Sequence, residues 1–393
     1  MKTQETSPSR KSVLVVCMLD SIHTSRWLEN FQDSQIDFYL FPSTPNRKIH
    51  QGVSDLKKNS ESNQATYKLL SSRKYLSILL WALDLVCRNR LRGFLLDRAH
   101  KKYKFDLTHA MELNHAGYIV SSTPKKSLLR DSEIISTIWG SDIFWFGRFK
   151  SHRKRLQRIL RITNTLISEC ARDEKLARDL EFRGTFVKSP SFFGFPEELL
   201  NRDLTPASSR RVILVKGYES FVGRASIALS ALNQLQKEVQ NFEIVVYSAN
   251  RKTVKLVEKI RKNSGLQIRV FKKRALDQQQ MLDLFEQSRI HLAVSLSDGV
   301  PSTLLEAMLS GTFPIQTNTG CAEQWVVDGK SALLVNPDVA AVKEAILRAI
   351  ADDTFIDSAQ VENNLVCRTK INKDKVQQEL ISIYLGAGIQ KLT

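Results

Sequence analysis

The sequence contains no run of about 20 apolar residues, so no segment of it is long enough to cross a bilayer as a helix. The most apolar helical window, LSILLWAL (76–83), is short and is followed by Asp84 and Arg88. The five cysteines are scattered and no C-x-x-C pair occurs, which excludes a zinc ribbon and suits a reducing compartment. The first residues, MKTQETSPSRKS, lack the apolar stretch of a secretion signal, so a cytoplasmic location is expected. Internal repeats and low-complexity tracts are absent, as are RNP-type and helix-turn-helix patterns, and aromatic residues are not interleaved with the basic runs. Acidic residues are scarce. Only 41 Asp and Glu stand against 58 Lys and Arg, a formal charge of +17 with a pI near 9.7. A surplus of that size points to an anionic partner: nucleic acid, an acidic membrane surface or a phosphorylated substrate.

What is present fits a folded chain of two domains. The 393 residues are 42% hydrophobic and 25% charged, an ordinary globular mix. VLVVCML (13–19) is a continuous apolar run, the mark of a parallel strand covered on both faces. IDFYLF (36–41), STIWGSDIF (136–144) and TLISE (165–169) read as further strands, and ARDEKLARDLEFRG (171–184) as a helix closed by Gly184. Residues 48–64 read as a polar surface excursion and 65–103 as helical. Beyond a Pro- and Ser-rich boundary at 188–211, strands are expected at 212–218, 242–248, 266–271, 291–296, 313–317 and 332–335. Helices are expected at 223–235 and 339–352, and over the last twenty residues. Alternation of this kind is α/β, with doubly wound parallel sheets.

Residues 295–311, SLSDGVPSTLLEAMLSG, are the stretch around which a site can be built. An apolar strand stops at Asp298-Gly299-Val300-Pro301, Ser302 or Thr303 stands where a helix N-cap belongs, and an apolar helix follows. Strand, loop and helix N-terminus together form an anion site, because free N–H groups and the helix dipole meet there. Asp298 and Glu306 frame it with seven residues between them, and carboxylates beside a phosphate suit the hydroxyls of a sugar or ribose.

This stretch resembles the E-x7-E signature of the retaining GT-B glycosyltransferases of family 4, with Asp298 in place of the first Glu. Gly311, Pro314, Gly320, Glu323 and Gly329 continue the resemblance downstream. Trp139-Gly140-Ser141-Asp142, FDLTHAMELNHAGY (105–118), LISECARDEKL (166–176) and VILVKGY with GRASIALSAL extend it more loosely over most of the chain. The resemblance implies a GT-B fold: two Rossmann-like domains with the active site in the cleft between them. Residues 1–200 would bind acceptor, 206–370 would bind a nucleotide sugar, and 371–393 would be a helix packing back on the first domain.

On the same resemblance, Glu306 would hold the donor ribose and Asp298 the donor sugar, from a side chain one methylene shorter than the family's Glu. Gly299, Val300, Pro301, Ser302, Thr303 and Leu304 would line the sugar and phosphates, with Lys216 and Arg224 offsetting the charge of the leaving diphosphate. The alternative for Lys216 and Arg224 is that they are solvent-facing ends of a strand and a helix. Trp139 stands where the family often has a His, so it can stack on a sugar but carry no proton. Asp142 is then the polar group for the reaction centre, or else an Asx turn or helix cap. His23, Arg26, His109 and Glu112 are candidate acceptor ligands, though a single His is commonly a structural residue.

The implied reaction is retaining transfer from a nucleotide-diphosphate sugar to a glycan or lipid-linked acceptor, in cell-surface polysaccharide or glycolipid biosynthesis, with neither metal nor cofactor. The basic segments 88–104 (seven Lys or Arg, one Asp) and 148–161 (seven basic residues, no acid) are either solvated helix faces or patches for an anionic membrane surface. A GT-B scaffold without activity, a sugar-nucleotide epimerase and a nucleic-acid binder are the competing readings.

Overall fold

The structure is a computed structural model that describes residues 10–45, 48–59, 64–70, 74–189 and 191–386. The polar N-terminus over 1–9, part of the excursion at 60–63 and the last residues, 387–393, lie outside the described residues. The chain divides into two compact units: residues 1–194 joined by 373–393, and residues 195–372.

The first unit is built on a seven-stranded sheet. Its strands are β1 (Lys11–Cys17), β2 (Ile36–Pro42), β3 (Thr66–Leu69), β4 (Leu107–Ala110), β5 (Glu133–Ile138), β6 (Thr165–Ser168) and β7 (Thr185–Lys188), in the order β3-β2-β1-β4-β5-β6-β7. Every neighbouring pair is parallel. Helices cover both faces, which is why Val13, Leu14, Val15 and Val16 are all 0% exposed and why the strand reads as an unbroken apolar run. Each such side chain contributes about 1.5–3 kcal/mol on leaving water. The helix Lys373–Leu385 closes this sheet from the far end of the chain. Its Tyr384 is fully buried and accepts a hydrogen bond from Trp27 Nε1 at 3.0 Å.

Several elements differ from the sequence reading. The strand read over 136–144 is β5, Glu133–Ile138, and Ser141–Phe144 turns into a short helix instead of continuing it. β3 lies in TYKL, within the stretch read as helical, and the excursion before it contains the helix Gln51–Lys58. Gly184 does not close a helix. The helix ends at Asp179, and Gly184 leads into β7, where a Cβ would lie 2.1 Å from the Asn164 carbonyl oxygen. Glycine is required there by close backbone approach.

The second unit has a six-stranded parallel sheet. Its strands are β8 (Val212–Lys216), β9 (Glu243–Ala249), β10 (Ile268–Lys272), β11 (Ser288–Ala293), β12 (Phe313–Thr317) and β13 (Leu333–Val335), in the order β10-β9-β8-β11-β12-β13. β11 begins three residues before the expected strand because Arg289 is buried in it. The guanidinium is satisfied by the carbonyls of Ser208 (2.7 Å) and Ala349 (3.1 Å) and by Asp353 (2.6 Å). In both sheets the strand order reverses beside the first strand of the unit, between β1 and β4 and between β8 and β11. Such a switch point leaves a crevice at the strand C-termini.

Candidate functional site

In the second unit, β11 runs into an extended segment that pairs Ser295 with Gly223 and then into the helix Ser302–Leu309. Pro301 is the N-cap, with φ −68° and ψ 124°, and no side chain caps the helix. Ser302 is thus the first helical residue, a correction of its expected N-cap place. Proline fits because it needs no N–H and its fixed φ matches the extended cap. The amides of Ser302 and Thr303 make no hydrogen bond among the described residues, whereas Leu304 N donates to Pro301 O at 2.9 Å. A short-range donor pair therefore stands open at a helix N-terminus. The turn before it is held from behind: Cys321 N donates to Gly299 O at 3.0 Å, and Gly320 is packed so that a Cβ would lie 2.9 Å from the same oxygen.

Lys216 is the last residue of β8, across the switch point from this loop. Its Nζ lies 3.6 Å from Asp298 Oδ2, with both side chains near 30% exposed. Asp298 Oδ1 accepts from Gly299 N at 3.0 Å. Glu306 is 6% exposed on the first turns of the helix. Arg224 is turned onto its own loop, where it donates to the carbonyls of Ser220 (2.7 Å) and Gly223 (2.9 Å). The Leu304 side chain is 0% exposed and belongs to the packing beneath the helix; Val300 is buried as well.

Two residues of this site escaped the sequence reading. Tyr247 on β9 is 2% exposed and its hydroxyl lies 2.9 Å from His291 Nε2 on β11, also buried. Burial raises the Tyr247 phenol well above its ordinary value, and the charges of Glu306 and Asp298 raise it further. Burial, with Lys216 adding to it, pushes His291 down to about 3. Both side chains are therefore neutral under the carboxylates. An apolar strand with Tyr near its end and a strand beginning Ser-Arg-Ile-His carry no motif, so only the fold could find them.

In the first unit the strand C-termini gather Glu112, Asp142 and Trp139. Asp142 is 7% exposed and accepts from Leu113 N (3.1 Å) and Trp139 N (3.2 Å) through Oδ2 and from Asn114 Nδ2 (3.3 Å) through Oδ1. It fastens the loop after β4 to the loop after β5. Burial lifts it to about 6 even against those backbone donors. Glu112 is 2% exposed. Its Oε1 accepts from Ala116 N at 3.2 Å, and the buried Ser43 hydroxyl acts on the same carboxyl, opposing the effect of burial. Burial, reinforced by the charge of Asp142, raises Glu112 to about 8, so it holds a proton at neutral pH.

His23 is exposed on the helix Ile22–Glu29, and its ring is 5.2 Å from that of Trp139. Arg26, on the same helix, is 9% exposed and lies over the Phe193 ring at 4.5 Å. His109 is 0% exposed inside the sheet, with Nδ1 2.6 Å from Tyr384 Oη and Nε2 2.6 Å from Thr137 Oγ1. Burial pushes it down to about 3, and a neutral ring satisfies both contacts by accepting at Nδ1 and donating from Nε2. The structure thus brings His23 to Trp139, brings Glu112 near Asp142, and sets His109 below them.

A fold of two parallel-sheet Rossmann-like units is that of the GT-B glycosyltransferases. The family model described as Glycosyl transferases group 1 matches residues 210–352, the segment that contains Lys216, Asp298 and Glu306. None of the curated proteins compared matches the chain at a significant level. Among solved structures, the chain is similar to Anabaena HepE in complex with UDP and glucose (TM-score 0.70, 12% identity, 96% of this chain and 100% of that one). It is similar also to a glycosyltransferase from Rickettsia africae (TM-score 0.68, 15% identity, 98% and 100%). A third is sucrose-phosphate synthase from Thermosynechococcus elongatus (TM-score 0.71, 14% identity, 96% and 99%).

Proposed function

We propose that the protein is a retaining glycosyltransferase of family 4 that moves a sugar from a nucleotide-diphosphate sugar to a glycan or lipid-linked acceptor. The observation that carries this reading is the open amide pair of Ser302 and Thr303 at a helix N-terminus, beside Lys216 and framed by Asp298 and Glu306. The amides and Lys216 suit a diphosphate and the growth of charge on it as the glycosidic bond breaks. Glu306 accepts from ribose hydroxyls, and Asp298 from those of the sugar. Gly299, Val300 and Pro301 shape the wall, and Arg224 and Leu304 hold it in place. HepE, with the same fold, binds UDP and glucose, which makes UDP-glucose the first donor to try.

The acceptor is assigned to the strand C-termini of the first unit. His23, Arg26 and Trp139 form the rim there, Glu112 and Asp142 the floor, and His109 supports them from below. The leaving phosphate takes the acceptor proton, so the site needs no separate base. A basic surface of 88–104 and 148–161 suits attachment to an anionic membrane leaflet from the cytoplasmic side, in cell-surface polysaccharide or glycolipid synthesis.

The ion pair between Lys216 and Asp298 favours a second reading, a GT-B protein that binds the nucleotide sugar without transferring it. Incubating the protein with UDP-glucose and a panel of glycan and lipid-linked acceptors separates the two. An α-linked product from an α-linked donor, read by NMR at the anomeric proton, supports retaining transfer. Stabilisation by the donor with no product supports binding alone, and an inverted product overturns retention.

A further inference from the structure

In the helical hairpin of Lys74–Cys87 and Arg90–Tyr103, part of the first helix turns apolar side chains outward and an acid inward. On the first helix Asp84 is 1% exposed, whereas Leu79, Leu83 and Val86 are 55%, 46% and 85% exposed. Their spacing, i, i+4 and i+7, places them in one stripe, with exposed Ala82 inside it. Phe94, 48% exposed, adds an aromatic ring from the second helix. A helix on a water-soluble domain turns such a stripe toward the core and its carboxylates outward.

The reversal is fixed by hydrogen bonds. The Asp84 carboxylate accepts from Leu91 N (3.0 Å), Arg92 N (3.2 Å) and Arg92 Nε (2.6 Å), and Arg92 Nη1 donates to Ser43 O at 2.8 Å. Rotating the first helix to hide Leu79, Leu83 and Val86 would tear out a buried, fully paired charge. The turn between the helices passes through Arg88 and Asn89 at φ 51° and 67°, a left-handed pair that sets the angle of the hairpin.

Charge decides what covers the stripe. Arg88, Arg90 and Arg98 are exposed beside it, and no helix of the described residues is long and apolar enough to span a membrane. A second copy of this face would set arginine against arginine, and nucleic acid has no use for an apolar stripe. An anionic lipid surface meets both halves of the pattern, with acyl chains for the leucines and phosphates for the arginines. We infer that the Leu79, Leu83, Val86 and Phe94 face inserts into the headgroup and acyl boundary of an anionic bilayer, with Arg88, Arg90 and Arg98 on the lipid phosphates. The inference rests on the proposed membrane attachment and deepens it from contact to insertion.

Full-length protein is sedimented with vesicles of phosphatidylcholine alone and of phosphatidylcholine with phosphatidylglycerol. Wild type binds the mixed vesicles, and the triple variant Leu79→Ser, Leu83→Ser, Val86→Ser, with every arginine intact, binds them about tenfold or more weakly. These side chains are exposed, so the variant keeps the wild-type melting temperature. A nitrobenzoxadiazole dye on Leu83→Cys in a Cys87→Ser background brightens with the mixed vesicles. Binding of the triple variant equal to wild type overturns insertion and leaves electrostatic attachment standing. Absence of wild-type binding to either vesicle removes both. A wild-type dimer that the triple variant abolishes assigns the face to a second copy and overturns the inference.

Discussion

Lys216 Nζ stands 3.6 Å from Asp298 Oδ2 across the point where the strand order of the second sheet reverses. The pair is partly exposed, so it adds little to stability, about 0–1 kcal/mol. On the proposed function its consequence is for binding, because a diphosphate would compete with Asp298 for the ammonium group. Lys216→Ala is expected to weaken UDP binding by about tenfold to a hundredfold, the worth of a charged hydrogen bond. Asp298→Asn, by releasing Lys216, strengthens binding of UDP while lowering transfer. Calorimetry on both variants checks this, and a loss of UDP affinity in Asp298→Asn contradicts it.

Glu112 makes stability fall as pH rises. Its native carboxyl titrates near 8 and its unfolded carboxyl near 4.5, so between those values the native state holds a proton that the unfolded state has lost. The unfolded state then binds fewer protons, and unfolding becomes easier with increasing pH. Glu112→Gln keeps the shape and removes the titration. The melting temperature of wild type relative to this variant should decline from pH 5 to about 8. A difference that stays constant across that range would refute the assignment of a buried proton.

Acidification acts through the histidines in the opposite direction. His109 and His291 are native-neutral with values near 3, whereas unfolded histidines take up protons below about 6.5. Stability is therefore lost as pH falls from about 6.5 toward 3. His291→Gln should flatten the acid limb of the melting curve. An unchanged slope counts against a buried neutral ring.

Within the first unit, one hydroxyl of the C-terminal helix joins two other buried rings, beside the apolar packing of Val376, Leu380 and Ile383. Tyr384 Oη serves both Trp27 Nε1 and His109 Nδ1, all three buried. Tyr384→Phe leaves two ring nitrogens without a partner and should cost about 1–3 kcal/mol in denaturant unfolding. A cost near zero would mean that water replaces the hydroxyl.

The two sheets and the 288–309 unit were legible in the sequence because parallel strands covered on both faces read as apolar runs. β3 and β7 were not, since TYKL and TFVK are four residues long and carry no pattern. Asp298 and Glu306 stood out as candidates by their spacing. Arg224 did not disclose that its guanidinium folds onto Ser220 and Gly223, and nothing in the sequence set Tyr247 beside His291, because both contacts depend on which strands are neighbours. The helix Lys74–Cys87 read as a short apolar segment; that Leu79 and Leu83 face outward follows only from the buried Asp84 and Arg92.

The central claim is that Glu306 binds a donor ribose, and calorimetry with UDP and 2′-deoxy-UDP tests it most directly. Wild type should prefer UDP by about tenfold, the worth of one hydrogen bond to a charged acceptor, and Glu306→Ala should bind the two equally. A Glu306→Ala variant that keeps the wild-type preference would contradict the account.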